Sequence, residues 1–221
     1  MSGPVGAPQQ DQDIGRVAGR NGGDAPTSVL FEAALSLFAR EGRWRAALAD
    51  QIAIEGHDTL VEIGCGAGGL CIDLARRQPS AEIIGIDPRG ALIARAKARA
   101  AETGARISFI AGDAADASTL VGQRTPTKIV LTLAGAQSTA EKIAQLQTLH
   151  QIIDPSGALH VIDQRPTPMG VLRRWLVSPP SRTTVANAPL LIRAAGFVAV
   201  EETAAWPTPA GTITLYRARA S

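Results

Sequence analysis

The stretch Val61-Glu62-Ile63-Gly64-Cys65-Gly66-Ala67-Gly68-Gly69 constrains this chain more than any other. Leu60 to Ile63 read as the end of a buried strand, and Leu70-Cys71-Ile72-Asp73-Leu74-Ala75 open a helix. Between them the backbone must turn sharply. Glycine permits that turn, and its missing Cβ lets another molecule press against the main chain. The first turn of the helix adds N–H groups without intrahelical partners. Strand, glycine turn and helix N-terminus together predict a cradle for a bound ligand.

Two spacings fit the turn. Gly64, Gly66 and Gly69 satisfy G-x-G-x-x-G, the dinucleotide fingerprint, which alone is a weak signal because glycine-rich turns are common. Glu62, Gly64, Gly66 and Gly68 satisfy E-x-G-x-G-x-G. The rest of the chain is needed to choose between them.

With 221 residues the chain can build one α/β domain with a substantial core. Its charge of +2 is too small and too dispersed to argue for a nucleic-acid partner. The cysteines, Cys65 and Cys71, offer neither zinc spacing nor a disulfide framework, so no metal is expected, and a reducing cytoplasm is. No apolar run approaches the length of a membrane span, and the N-terminus lacks the basic-then-apolar order of a signal peptide.

Residues 1–26, rich in Gly, Pro, Gln and Asp, read as a flexible N-terminal segment or a lid over a ligand. Residues 27–221 read as a single domain. Helices are expected over Thr27 to Arg40 and Arg43 to Ile52, then strand one over Thr59 to Ile63. Strand two, Ala81 to Asp87, ends in a carboxylate 23 positions after Gly64. In an open parallel sheet that carboxylate comes beside the glycine turn, where its two oxygens suit a ribose diol. The competing reading of Asp87 is an N-cap for the helix after Pro88.

Strand three, Ile107 to Ala111, ends in Gly112-Asp113-Ala114, and Asp113 also suits a plain turn. Strand four is Lys128 to Leu133, followed by Ala134-Gly135-Ala136-Gln137. Ser138-Thr139-Ala140-Glu141 reads as a capping box. Strand five is Ala158 to Asp163. A proline-rich segment from Gln164 to about Arg182 precedes a helix over Thr183 to Ala195. Strands six (Phe197 to Thr203) and seven (Gly211 to Arg219) form an antiparallel pair joined through Trp206 to Gly211. The alternation predicts a Rossmann-like doubly wound α/β sheet of seven strands, helices on both faces, the last strand antiparallel.

Taken together, Glu62 with the Gly64-Cys65-Gly66-Ala67-Gly68 turn, Asp87, Gly112-Asp113-Ala114, and Ile152-Ile153-Asp154-Pro155-Ser156-Gly157 before strand five resemble the class I S-adenosylmethionine (SAM)-dependent methyltransferases. The likeness spans residues 59 to 163 in order and spacing. It implies that Glu62, Gly64, Cys65, Gly66 and Gly68 hold the methionine half of SAM. By the same likeness Asp87 with Pro88 holds the ribose, Asp113 with Ala114 holds the adenine, and Leu131 completes the set. S-adenosylhomocysteine (SAH) would be the product. Ala39-Arg40-Glu41-Gly42-Arg43-Trp44-Arg45 and Ala194-Ala195-Gly196-Phe197 look like the ubiquinone/menaquinone-biosynthesis-type members, which methylate small molecules. Lys128 stands where that group usually has aspartate, and Ser156 where its turn has glycine.

The expected activity is methyl transfer to an O, N or C nucleophile of a small molecule by in-line displacement. A hydroxyl or acidic carbon needs a base. Candidates belong at the carboxyl ends of strands four and five: Gln137, Asp163, Gln164 and Arg165, each also readable as a polar loop residue. His57, before strand one, His150, on a helix and expected to be solvated, and His160, mid-strand, are poor bases. Val171-Leu172-Arg173-Arg174-Trp175-Leu176-Val177 reads as a lid helix or a peripheral lipid contact. Three other readings stay open: an RNA or protein methyltransferase, an NAD(P)-dependent oxidoreductase, and a SAM-binding module without catalysis. The acceptor and oligomeric state are not legible in the sequence.

Overall fold

The computed structural model describes residues 41–104, 106–133, 137–166, 187–208 and 211–221. The N-terminal segment, the helix expected over Thr27 to Arg40 and the apolar run Val171 to Val177 lie outside the described residues.

The elements run α1 (Glu41–Ile52), β1 (Thr59–Ile63), α2 (Gly69–Arg77), β2 (Glu82–Asp87), α3 (Gly90–Thr103), β3 (Ile107–Ala111), α4 (Ala117–Val121), β4 (Lys128–Thr132), α5 (Thr139–Ile152), β5 (Ala158–Pro166), α6 (Ala188–Ala194), β6 (Val198–Thr208) and β7 (Gly211–Arg219). The strands form one sheet, ordered β3-β2-β1-β4-β5-β7-β6. Strands β1 to β5 pair in parallel, and β7 runs antiparallel between β5 and β6. The strand order reverses between β1 and β4, and the crevice at the carboxyl ends there is where such sheets bind ligands.

Alternation along the strands builds two cores, one on each face. Val61, Ile84, Ile129 and Val161 pack under α4, α5 and α6 against Val121, Leu146, Leu149 and Ile192. Leu60, Ile83, Val130 and Leu215 face the other way, against Leu48, Ile52, Leu74 and Ala96 of α1, α2 and α3. Each large aliphatic side chain so buried contributes about 1.5–3 kcal/mol. The doubly wound architecture is therefore as expected.

The structure adds to or corrects the sequence reading at four points. The short helix α4, preceded by a single 3-10 turn at Ala114–Asp116, was not legible: five residues are too few to show a period. Strand β6 runs on to Thr208, so the β6–β7 link reduces to residues 209 and 210. Pro207 is tolerated because β6 is an edge strand. Strand β7, paired on both edges, buries Ile213 to Tyr216 in a row and exposes Arg217 and Arg219 toward its end. His150 is not solvated. It stacks edge-on against Phe197 at 4.9 Å and donates from Nε2 to the carbonyl of Ala220 at 3.0 Å.

Lys128 acquires a structural role. Its Nζ donates to the carbonyls of Ile52 and Ala53, both at 2.8 Å, and pairs with Asp58 Oδ2 at 3.1 Å. Those carbonyls lie at the end of α1, where the helix leaves acceptors unpaired, and Ala53 holds a left-handed φ of 47°. Burial raises the pKa of Asp58, but hydrogen bonds from Thr127 Oγ1 and the Glu55 amide, with the Lys128 charge, outweigh it and lower the value. Lys128 opens β4 at its amino end, opposite the glycine turn. Ser156 is equally local: its amide and hydroxyl both reach Asp154 Oδ1, at 2.8 and 2.6 Å, closing the turn before β5.

Replacing Lys128 by Met should therefore cost about 2–3 kcal/mol in urea unfolding, through an orphaned Asp58 and two lost carbonyl caps, and leave SAH affinity unchanged. Because the Asp58 value is depressed, its contribution is present above the ordinary carboxylate range and lost as pH falls through the folded-state value.

Candidate functional site: a glycine turn wired to two carboxylates

The backbone chooses between the two glycine spacings. Gly64, Gly66 and Gly68 have φ of 80°, 55° and 74°, all left-handed, whereas Gly69 simply begins α2. The turn therefore uses the E-x-G-x-G-x-G positions. A Cβ on Gly68 would lie 2.5 Å from Phe109 Cζ and 3.0 Å from Ala96 Cβ, so that glycine is required by close packing as well as by conformation.

The turn is fastened to its neighbours. The amides of Gly64 and Cys65 both donate to the carbonyl of Ile86, at 2.8 and 3.1 Å. Gly66 N donates to Asp87 Oδ2 at 2.9 Å, and Arg99 reaches from α3 to the carbonyl of Ala67 at 2.7 Å. Asp87 is only 1% exposed. Its other oxygen accepts from the amide of Arg89, and the Arg89 guanidinium lies along both oxygens. Asp87 does not cap α3: the N-cap position is Arg89 itself. At the end of β3, Asp113 Oδ1 accepts from Ala115 N at 3.3 Å, which tightens the turn into the 3-10 segment, and Ala114 is buried behind it. Pro88 is exposed between Asp87 and Arg89, and Leu131 is buried in β4 beside Ile63.

Glu62 lies beneath the turn, fully buried, and its Oε2 accepts from the thiol of Cys71 at 2.9 Å. Burial disfavours its charge and lifts the pKa to about 7, against the opposing Cys71 hydrogen bond and the charge of Arg45. The Arg45 guanidinium, brought in by α1, packs where a Cβ on Gly69 would sit, 3.1–3.3 Å away. The Cys65 and Cys71 thiols are pushed up, first by burial and then by the charge of Glu62, so neither serves as a nucleophile.

Of the proposed acceptor-side residues, Asp163 is buried on β5 opposite Thr214 of β7, Gln164 is half-buried next to it, and Gln137 is half-buried just before the Ser138 cap of α5. They share the carboxyl edge of the sheet. The Arg165 and Ala134-Gly135-Ala136 side chains lie outside the described residues. His160 is a core residue. Thr203 Oγ1 donates to Gln51 Oε1, which leaves Gln51 Nε2 to donate to His160 Nδ1 at 3.2 Å. Burial, reinforced by the charges of Arg217 and Lys128, lowers its pKa to about 3, so the imidazole stays neutral. His57 is exposed beside Glu55.

Four participants were not read from the sequence: Arg45, Arg89, Arg99 and Phe109. Arg89 had a local signal, since Asp-Pro-Arg folds the third side chain back onto the first. The other three are brought to the turn by elements distant in sequence.

These features suit SAM. Gly64, Gly66 and Gly68 put no Cβ on three of the five turn residues, α2 offers first-turn amides with no capping side chain, and a buried, oriented carboxylate stands beside them. Residues 60–157 match a family model described as a methyltransferase domain. The chain is 27% identical over 146 residues to a demethylmenaquinone methyltransferase from Thermus thermophilus, covering 66% of this chain and 64% of that protein. It is 24% identical over 139 residues to a ubiquinone/menaquinone biosynthesis C-methyltransferase from Syntrophotalea carbinolica, covering 63% of this chain and 57% of that one. The chain thus spans slightly less than two thirds of these curated relatives. The fold superposes on magnesium protoporphyrin IX methyltransferase from Synechocystis with bound SAH, at a TM-score of 0.63 and 20% identity, over 81% of this chain and 83% of that one. Residues 60–157 thus resemble a methyltransferase domain, and the fold is the Rossmann-like one shared with SAM-dependent methyltransferases.

The buried carboxylate has a measurable signature. Glu62, raised from an ordinary 4.5 to about 7, contributes stability that is fully present below its unfolded value and lost as pH rises through about 7. Urea titrations should find Glu62→Gln gaining on the wild type between about pH 4 and 7, by on the order of 2–3 kcal/mol, and level above that. A pH-independent difference would mean that Glu62 titrates alike in the folded and unfolded chain.

Proposed function

We propose that this protein transfers the methyl group of SAM to a small-molecule acceptor of the quinone-precursor type, held at the carboxyl edge of β4 and β5. The observation that carries the cofactor half is the Asp87 carboxylate, buried at the end of β2 and hydrogen-bonded to the glycine turn through Gly66. Matches to quinone-biosynthesis methyltransferases along about two thirds of the chain support the acceptor class.

In this reading the turn amides and the first turn of α2 receive the methionine end, Asp87 the ribose hydroxyls and Asp113 the adenine amino group. When bound, the cofactor supplies an electrophilic methyl group on a sulfonium, an excellent leaving group. The chain then has to hold the acceptor in line and exclude water, and positioning of this kind contributes on the order of 7–11 kcal/mol in ideal cases. Asp163 takes the proton of a hydroxyl or acidic carbon, and Gln137 and Arg165 orient the acceptor.

The other readings have less behind them. A plain dinucleotide-binding sheet has no antiparallel strand inserted where β7 lies between β5 and β6. The match to a tRNA (guanine-N(7)-)-methyltransferase from Christiangramia forsetii covers 34% of this chain. Lys128, the departure that would point to a module without catalysis, has a structural task at the opposite edge of the sheet.

Calorimetry should find SAM and SAH binding on the order of micromolar, with NAD(H) silent, and Asp87→Ala should weaken SAH by at least about tenfold. Scoring SAH release against phenols, quinols, carboxylates and RNA would find turnover with the phenol or quinol set. Asp163→Asn should then lower kcat by about 10²–10⁴ with SAH affinity intact. Binding of NAD(H) alone would sink the reading.

A further inference from the structure

Every acceptor position of the Asp87 carboxylate is already taken by the chain itself. Oδ1 accepts from the Arg89 amide and from Arg89 Nε, both at 2.9 Å. Oδ2 accepts from Gly66 N at 2.9 Å and from an Arg89 terminal nitrogen at 3.0 Å. A carboxylate offers about four lone-pair sites, two on each oxygen, and four donors are present. A ribose diol brings two more, one for each oxygen, so two donors must leave.

The four are not equally free to go. The Gly66 amide is held by the turn and the Arg89 amide by the backbone after Pro88, whose ring fixes φ. The guanidinium sits at the end of a flexible side chain, 40% exposed while its partner is 1% exposed. Its fork lies side-on, one N–H on each oxygen, a pairing whose geometry carries much of its strength. It covers the two positions that a vicinal diol would use.

We propose that Arg89 is a built-in competitor for the ribose diol, and that it sets cofactor and product affinity by having to leave Asp87 before the nucleoside can bind. The inference rests on reading Asp87 as the ribose carboxylate of a SAM site. Its consequence is a site tuned below its attainable affinity, from which SAH departs readily as the guanidinium returns.

The experiment is SAH titration calorimetry on the full chain, with SAH dissociation followed by stopped flow. Arg89→Ala should bind SAH about five- to tenfold tighter than wild type, with the gain mostly in slower dissociation. Arg89→Gln, which keeps length and polarity, should behave in the same way and guards against a folding artefact. Arg89→Lys, which keeps the charge without the fork, should fall between. Added salt should strengthen wild-type binding about twofold by loosening the pair and leave Arg89→Ala unmoved. In an Asp87→Asn background the Arg89 substitution should have no effect, because the competed-for group is gone. Equal or weaker binding by Arg89→Ala and Arg89→Gln, with wild type still binding SAH, overturns the competitor and makes Arg89 a bystander or a direct ligand. Absence of SAH binding in every form, wild type included, overturns the SAM reading itself and the competitor with it.

Discussion

The hydrogen bond from Gly66 N to Asp87 Oδ2 joins the two ends on which the proposed cofactor site is built. It ties the turn after β1 to the last residue of β2, and parallel pairing holds those strands in register from Thr59↔Glu82 to Ile63↔Ile86. The Ile86 carbonyl takes two further amides from the same turn. A charge-assisted bond to a buried carboxylate contributes more than an ordinary one, and it orients the group that accepts it. Loop shape and carboxylate direction are therefore one property.

Packing supports that property from both faces. Phe109 of β3 lies where side chains on Gly68 or Gly85 would be, so the turn rests on an aromatic ring and the two glycines cannot be exchanged for alanine without displacing it. Arg99 from α3 and Arg45 from α1 hold the turn from outside. Beneath it the Glu62–Cys71 pair places an acid in a medium that disfavours its charge, a costly arrangement that is tolerated where it shapes a site. The opposite edge of the sheet shows a contrasting use of charge. There Lys128 and Asp58 compensate each other and close the end of α1, which belongs to stability and not to chemistry.

The proposed acceptor side draws on separate segments. Asp163 and Gln137 come from segments on either side of the β4–β5 edge, and β7, inserted between β5 and β6, supplies Thr214 opposite Asp163. The proposed cofactor half is made from consecutive β–turn–α units. The proposed acceptor half is made from connections, which is where a shared sheet accommodates different substrates.

The sequence by itself determined the doubly wound sheet, the place of the glycine turn and the identity of the carboxylates at the ends of β2 and β3. Each of these is local: strand patterning, turn chemistry and a fixed spacing along one β–turn–α–β unit carry it. The Ser138–Glu141 capping box was legible for the same reason. Only the tertiary structure decided that Gly68 and not Gly69 is the third turn glycine, because both spacings satisfy the same letters and only φ separates them. It alone put His150 against Phe197 and the Ala220 carbonyl, and gave Lys128 its partners 70 and more residues away. It also filled the Asp87 carboxylate with donors from Gly66 and Arg89. Contacts of that kind depend on which elements the sheet order brings together, and one-dimensional periodicity holds no record of that order.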